Sequence, residues 1–203
     1  RSIQKIIRKK SESSMKINLV NTNFEHDYSW MLLSSRGVED VEAYLNPTIA
    51  YLNSPLNLKS ISAGAAMYLR TVMNDNPPYS KVLIVVDSDN DGYTSAAIIY
   101  QYTKRLNCHC QVDYWLHEGK QHGLEDLIVE IRNDDTDYDL IIMPDASSND
   151  YEYHKELGER GIPVLVLDHH IVEEEIHENA VVINNQSSSN YRNKELTGAG
   201  VAW

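Results

Sequence analysis

Short apolar runs alternate with helix-like stretches along the last two thirds of the chain. Strands that alternate with helices of about ten residues form βαβ units and a parallel sheet. Continuous apolar strands are typical of sheets that are covered on both faces. The pattern therefore predicts an α/β fold with a parallel β-sheet flanked by helices. The predicted strands lie at about 82–86, 111–116, 139–143, 164–167 and 180–183, and the helices between them lie near 93–106, 124–133 and 150–160.

The segment before the first predicted strand contains only helical patterns. Residues 29–46 and 59–74 have apolar residues at helical spacing, and Asn46-Pro47 and Asn76-Pro77 end the two runs. We therefore divide the chain into three parts. A basic extension or linker covers 1–28, a short helical N-terminal lead-in covers 29–78, and a catalytic lobe covers 79–203. Residues 196–203 predict a turn that opens a helix which has barely begun, so we expect the chain to be a fragment of a longer protein.

Ligand-type residues follow three of the predicted strands. Because the carboxyl ends of parallel strands meet at one edge of a sheet, we expect these side chains to converge in one crevice. Carboxylate oxygens together with an imidazole are suited to Mn²⁺ or Mg²⁺. The convergence predicts a metal-dependent enzyme. The residues are Asp87, Asp89 and Asp91 after the first strand, Asp145 after the third, and Asp168, His169 and His170 after the fourth.

Within this set, Asp89 and Asp91 are the first choices as metal ligands, Asp145 is expected to bridge two cations, and His169 is the expected nitrogen ligand. Adjacent histidines are expected to point in different directions, so at most one of them shares a metal with Asp145. The other then faces the substrate or supports a ligand. Asp168 either orients an imidazole or is structural.

Other protein classes also carry Asp-x-Asp sequences after a hydrophobic run. An EF-hand loop needs an acid at its twelfth position, where Ile98 stands, and a helix before it. A haloacid-dehalogenase-type phosphatase would use Asp87 as nucleophile and Asp89 as acid, but it gives no role to the Asp168–His170 run. No G-x-G-x-x-G follows a strand, which disfavours a dinucleotide-binding fold. A purely structural turn rich in Asp and Gly is a further alternative. It explains a single acidic turn easily, but it explains ligand-type residues at three strand ends less well.

Composition narrows the class of partner. The net charge is −12, and residues 1–14 carry five basic residues against one acidic residue, so the remainder carries −16. This charge argues against a strong non-specific duplex binder, although a nuclease that holds a strand through metals is compatible with it. No apolar run approaches the roughly 18 residues of a membrane span. The two cysteines lack the second pair of a zinc ribbon. We expect no membrane partner and a cytoplasmic location.

Taken together, these motifs resemble the DHH phosphoesterase superfamily, and most closely its RecJ branch of single-strand-specific exonucleases. The resemblance covers roughly residues 29–203. It is carried by Asp87–Ser95, Asp145, Asp168–His170 and Gly198–Val201, and it extends to Leu33–Val38, the loop at 117–124 and Val182–Asn184.

The resemblance implies a 5′→3′ single-stranded DNA exonuclease that releases mononucleotides with two Mn²⁺ or Mg²⁺ ions. It implies that Asp87 completes one metal shell, that His170 contacts the scissile phosphate, and that Ser95 and the Gly198–Gly200 turn contact phosphate. It also implies a further metal-binding Asp and a second domain beyond residue 203. The alternatives are a phosphodiesterase acting on short oligonucleotides or cyclic dinucleotides, and an inactive scaffold for protein interaction.

Overall fold

The computed structural model describes residues 27–117, 123–125, 127–173 and 175–203. All but the last two residues of the predicted basic extension at 1–28, and most of the loop at 117–124, therefore lie outside the described residues. The described chain begins with α1 (Tyr28–Ser35) and α2 (Val41–Leu45), followed by 3₁₀ turns at Ile49–Tyr51 and Pro55–Asn57.

The prediction of one helical stretch over 29–46 is wrong, because two helices occupy it. Gly37 follows the end of α1 with a φ of 85°, a left-handed conformation that glycine adopts without strain. Asp40 then starts α2, since its side chain accepts a hydrogen bond from the backbone N–H of Ala43 at 2.9 Å. The glycine turn and the new cap together break the helix between residues 36 and 40.

The sheet consists of five parallel strands, which confirms the predicted fold class. The strand order is β2-β1-β3-β4-β5. The strands are β1 (Lys81–Val86), β2 (Gln111–Leu116), β3 (Leu140–Pro144), β4 (Val164–Asp168) and β5 (Ala180–Asn184). The helices are α3 (Ile61–Val72), α4 (Asn90–Leu106), α5 (Ile128–Asn133), α6 (Tyr151–Glu159) and α7 (Gly198–Ala202). In this order the direction of winding reverses between β1 and β3, which is where open α/β sheets bind ligands.

The two faces of the sheet are buried by different helices. Along β1, Ile84 packs in the cluster formed with α3 and α4, and its neighbour Leu83 packs in the opposite cluster with α5 and α6. This double burial explains the continuous apolar sequences of β1, β3, β4 and β5. The expectation fails for β2, an edge strand in which Tyr114 and Leu116 are exposed.

The contacts divide the chain into two units, residues 1–52 and 53–203. Helix α3 belongs to the second unit, where it packs against β4 and β5. The predicted lead-in at 29–78 therefore spans parts of both units. Within the described segments, no helix combines the length and the apolar character needed to cross a membrane.

Candidate metal centre

The carboxylates after β1 are held in place by the first turn of α4. This helix begins at Asn90, three residues earlier than predicted, and Asp89 is its N-cap. The Asp89 Oδ1 atom accepts hydrogen bonds from the N–H groups of Asp91 at 2.8 Å and Gly92 at 3.0 Å. Gly92 has no room for a side chain, because a Cβ there would lie 2.5 Å from Asp87 Cβ. The chain thus turns directly from strand to helix around a buried Asp87. An EF-hand loop follows a helix and stays non-helical for most of its 12 residues. Here the motif follows a strand and becomes helical at Asn90, so the structure excludes an EF-hand.

Asp91 joins α4 to α7. Its Oδ2 accepts a hydrogen bond from Gly198 N at 2.7 Å, and its Oδ1 accepts one from Ala199 N at 2.9 Å. His169 Nε2 lies 3.8 Å from Asp91 Oδ2. The predicted ligand Asp91 is therefore oriented toward the crevice by the N-terminus of α7. It does not belong to either of the two tight clusters of ligand-type atoms found in the described part of the chain.

Asp145 is the most perturbed carboxyl group of the crevice. It follows β3 with a φ of 70°, and its N–H donates to Leu167 O on β4 at 2.8 Å. Its Oδ1 is buried and accepts no hydrogen bond from the described residues, and His169 Nε2 lies 3.2 Å away. Burial, followed by the negative charges of the three carboxylates after β1, raises the pKa of Asp145 to about 8. A cation bound there would relieve both effects.

Two clusters of ligand-type atoms share Asp145. Asp87, Asp89 and Asp145 form one, and Asp145, His169 and His170 form the other, and within each cluster the atoms lie within 4.8 Å of one another. Oxygen and imidazole donors of this kind fit Mn²⁺ or Mg²⁺. A carboxylate common to both clusters has the placement of a bridging ligand between two ions. The donor set therefore fits a two-cation centre.

The two histidines do not diverge as predicted. Both imidazoles contribute an atom to the cluster with Asp145, and their ring centroids are 4.5 Å apart. They differ in their other contacts, because His170 Nδ1 lies 2.7 Å from Asp168 Oδ1, whereas His169 Nε2 faces Asp145 and Asp91. A hydrogen bond to Asp168 raises the pKa of His170 to about 9.

Asp168 is an orienting residue buried behind the crevice. Its Oδ1 also accepts hydrogen bonds from the N–H groups of His169 at 2.7 Å and His170 at 3.2 Å, and its Oδ2 accepts one from Ser148 N at 3.1 Å. Burial acts to raise the pKa of Asp168, but the hydrogen bonds from His170 and Ser148 outweigh it and bring the pKa to about 2. Of the two roles considered for Asp168, its contacts support the orientation of an imidazole.

Sequence reasoning missed two supporting residues, Asn184 and Ser148. Asn184 ends β5 and is buried, and its Nδ2 donates to Ser148 Oγ and to His170 O, both at 2.9 Å. Its Oδ1 accepts a hydrogen bond from Gln186 N at 2.7 Å. The signal was present in the sequence, because a polar residue follows Val181-Val182-Ile183 just as the acidic residues follow the other strands.

The predicted phosphate contacts receive less support from the geometry. Ser95 is buried, and its hydroxyl donates back to Asp91 O at 2.7 Å within α4. The Gly198 N–H is taken by Asp91, and the Gly200 N–H donates to Thr197 Oγ1 at 3.2 Å. Gly198 instead serves close packing, because a Cβ there would overlap the Asp145 carboxylate. None of the three offers a free donor to the crevice.

Comparisons with known proteins agree with this geometry. The model of the DHH family, N-terminal domain, matches residues 81–203. The chain is 37% identical over 190 residues to YorK of Bacillus subtilis, a protein provisionally named an SPbeta prophage-derived single-strand DNA-specific exonuclease. That match covers 93% of this chain and 31% of YorK. The chain is also 27% identical over 179 residues to the single-stranded-DNA-specific exonuclease RecJ of Bacillus subtilis, covering 85% of this chain and 22% of RecJ.

Solved structures show the same fold. RecJ from Thermus thermophilus, determined in complex with Mn²⁺, superposes with a TM-score of 0.62 at 24% identity, over 84% of this chain and 23% of that one. An exonuclease RecJ bound to manganese also gives a TM-score of 0.62 at 24% identity, over 74% of this chain and 37% of that one. The chain thus spans less than a third of the length of the two named relatives.

Proposed function

Because the chain belongs to the DHH family, we propose that it forms the catalytic lobe of a 5′→3′ single-stranded DNA exonuclease that releases mononucleotides. The observation that carries the proposal is the pair of ligand clusters sharing Asp145 at the carboxyl edge of the sheet. The names of YorK and RecJ support single-stranded DNA as the substrate. As an enzyme acting on DNA, it is proposed to work in the cytoplasm.

Asp87, Asp89 and Asp145 would hold one cation. Asp145 and His169 would hold the other, with Asp91 as a further proposed ligand because its Oδ2 lies 3.8 Å from His169 Nε2. Bound as a pair, Mn²⁺ or Mg²⁺ ions supply activation of water and stabilisation of the phosphoryl oxygens. Asp91 is kept in position by α7, and Asp145 by its backbone bond to β4. We assign no phosphate contact to Ser95, because its hydroxyl is occupied within α4.

His170 is proposed to contact the scissile phosphate. Asp168 fixes the position of its imidazole and keeps a proton on Nδ1 through the 2.7 Å hydrogen bond. His170 lies in the cluster with Asp145 and His169, and an imidazolium there would stabilise charge that develops on the phosphoryl oxygens of a phosphodiester bound at the cations. Asp168 thus acts through His170 and not on the substrate itself. The segment of the protein beyond residue 203 is proposed to supply the second domain and the remaining metal-binding Asp.

Strand cleavage by the complete protein tests the proposal. A single strand labelled at its 5′ end should release labelled mononucleotide at once with Mn²⁺ present, whereas a blunt duplex should be cut little. His169→Ala should lower both Mn²⁺ affinity and turnover. His170→Ala should leave Mn²⁺ affinity near normal and slow turnover by about 10²–10³-fold. Asp137→Asn is the matched control, because Asp137 is exposed before β3 at the opposite edge of the sheet.

Three outcomes would redirect the assignment. Fast turnover of a dinucleotide with an intact long strand would point to an oligonucleotide or cyclic-dinucleotide phosphodiesterase. Labelled mononucleotide that appears only after the whole strand is consumed would reverse the polarity. Mn²⁺ binding without hydrolysis of any phosphodiester would favour an interaction scaffold.

A further inference from the structure

An apolar slot lies between α4 and the edge strand β2. The slot has a volume of about 290 Å³. Ile84 and Val86 of β1 line it together with Leu116, which pairs with Val86 across the sheet. Three tyrosines also line the slot, Tyr93 and Tyr100 from α4 and Tyr114 from β2. Among the residues that the structure describes, none with a charged side chain lines it.

The three tyrosines of the slot are exposed to solvent. Tyr93 is 47% exposed, Tyr100 39% and Tyr114 60%. The rings of Tyr100 and Tyr114 meet edge to face, with centroids 6.3 Å apart and an interplanar angle of 88°. The tyrosine hydroxyls and the Gln101 amide add hydrogen-bonding groups to the lining.

This lining matches the chemistry of a nucleobase. A base has two flat apolar faces that stack on aromatic rings, and a polar edge that needs hydrogen-bond donors and acceptors. A phosphate fits poorly, since no described residue of the lining is cationic. An extended peptide paired to the open edge of β2 is the rival occupant, because edge strands carry unpaired backbone groups.

The slot and the first carboxylates of the candidate metal centre are carried by the same two elements, β1 and α4. Val86 directly precedes Asp87, and Tyr93 follows Asp91 by two residues in the first turn of α4. Val86 and Leu116 are the last residues of β1 and β2, so the slot reaches the carboxyl edge of the sheet, where the carboxylates also lie. We propose that the slot binds a nucleobase of the single DNA strand. This inference rests on the proposed function for its substrate.

Nucleoside binding without metal tests the slot independently of catalysis. Saturation-transfer NMR with the four deoxynucleosides should show transfer to base protons from the wild-type protein. Tyr93→Ala and Tyr114→Ala should lose most of that transfer. Tyr102→Ala is the matched control, because Tyr102 lies on the same helix and is 52% exposed, but it stacks on Tyr68 outside the slot. Thermal melts of the three variants confirm that each is folded.

The affinity for a single-stranded oligonucleotide measures how much the slot contributes to binding. With Ca²⁺ in place of Mn²⁺ to suppress cleavage, Tyr93→Ala or Tyr114→Ala should weaken the binding of a short oligonucleotide by about 5- to 100-fold. An abasic residue is then moved along the oligonucleotide one position at a time. At the position that occupies the slot, it should weaken binding to the wild type as much as the tyrosine substitutions do, and it should leave the two variants unaffected.

The outcomes separate the slot from the proposed function. Wild-type cleavage of single strands, with no nucleoside transfer or with equal transfer in all variants, overturns the slot and leaves the nuclease standing. Nucleoside transfer that depends on Tyr93 and Tyr114, without any strand cleavage, supports the base site and rejects the exonuclease. Binding of a β-strand peptide that is lost in Tyr93→Ala and Tyr114→Ala, together with no nucleoside transfer in the wild type, would assign the slot to a protein partner and overturn the proposal.

Discussion

Asp145 and Asp168 are the same residue type at the ends of neighbouring strands, and both are buried, yet their environments are opposite. The pKa of Asp145 is raised to about 8 by burial and by three nearby carboxylates. The pKa of Asp168 is brought to about 2, because hydrogen bonds from His170 and Ser148 outweigh its burial. Burial alone therefore does not identify a metal ligand. The supply of donors separates these two residues, since both oxygens of Asp168 accept hydrogen bonds from the protein whereas Asp145 Oδ1 accepts none from the described residues.

The comparison predicts the largest effects for Asp145→Asn. Removing the shared ligand should lower Mn²⁺ affinity by at least about 10²-fold, beyond what loss of a supporting residue costs, and should abolish turnover. Without metal, the same change should stabilise the protein at pH 7 by roughly 2–4 kcal/mol, because the folded state no longer binds the proton that burial imposes. Calorimetric titration and metal-free denaturant unfolding measure the two effects. Destabilisation of the metal-free protein would contradict the role assigned to Asp145.

The sign of the pH dependence follows from the direction of this pKa shift. The folded pKa of Asp145 lies above the unfolded value of 3.8. Its contribution to the free energy of unfolding is therefore fully present below about pH 4 and is lost as the pH rises toward 8. In Asp145→Asn this part of the pH dependence should disappear.

Asp168→Asn should act in the opposite direction. The folded pKa of Asp168 lies below the unfolded value, so its carboxylate stabilises the fold above about pH 4, and this is lost as pH falls toward 2. The substitution should destabilise the metal-free protein by about 2–3 kcal/mol at pH 7. Denaturant unfolding at pH 7 and at pH 3 measures this, and the difference from wild type should shrink at the lower pH. Equal stability at pH 7 would remove the contrast with Asp145.

The two ends of β5 sharpen the comparison further. Asn184 holds the histidine loop, whereas Asn179, just before the strand, makes similar hydrogen bonds to His154 O and Ile162 O. Alanine at either position should cost about 1–3 kcal/mol of stability. Only Asn184→Ala should reduce turnover, by about 10–100-fold, because only Asn184 orients a proposed catalytic group. Turnover of the two variants at a temperature where both are folded provides the test, and equal losses would make Asn184 merely structural.

The smallest predicted effect is the number of protons that the protein releases when Mn²⁺ binds. Because the pKa of Asp145 is about 8, it is largely protonated at pH 7 and must lose that proton to bind a cation. Mn²⁺ titrations in buffers of different ionisation enthalpy should show release of about one proton at pH 7. Release should fall to near zero at pH 9. No release at pH 7 would mean that Asp145 is already ionised or is not a ligand.

The strands and their terminal carboxylates could be predicted from the sequence because both depend on local pattern. A strand buried on two faces needs a continuous apolar run, and a hydrophilic residue directly after such a run must lie at the edge of the sheet. On this basis β1, β3, β4 and β5 and the placement of Asp87, Asp89 and Asp145 at one edge follow from the order of residues alone. The same reasoning fails for β2, because it is an edge strand whose sequence includes Gln111 and Asp113 and whose Tyr114 and Leu116 are exposed.

Only the tertiary structure decided how those groups are used. The contact of Asp91 with Gly198 joins residues 107 positions apart, and it requires α7 to dock on the first turn of α4. Both imidazoles lie near Asp145 because the segment after β4 is held by hydrogen bonds. Asn184 donates to the backbone oxygen of His170, and Asp168 contacts the His170 imidazole. Such contacts arise from packing between distant segments, which no short pattern encodes. The sequence by itself therefore determined which groups reach the carboxyl edge of the sheet. The packing of α7 and β5 determined how the protein orients them, because α7 donates hydrogen bonds to Asp91 and Asn184 of β5 holds the segment that carries His170.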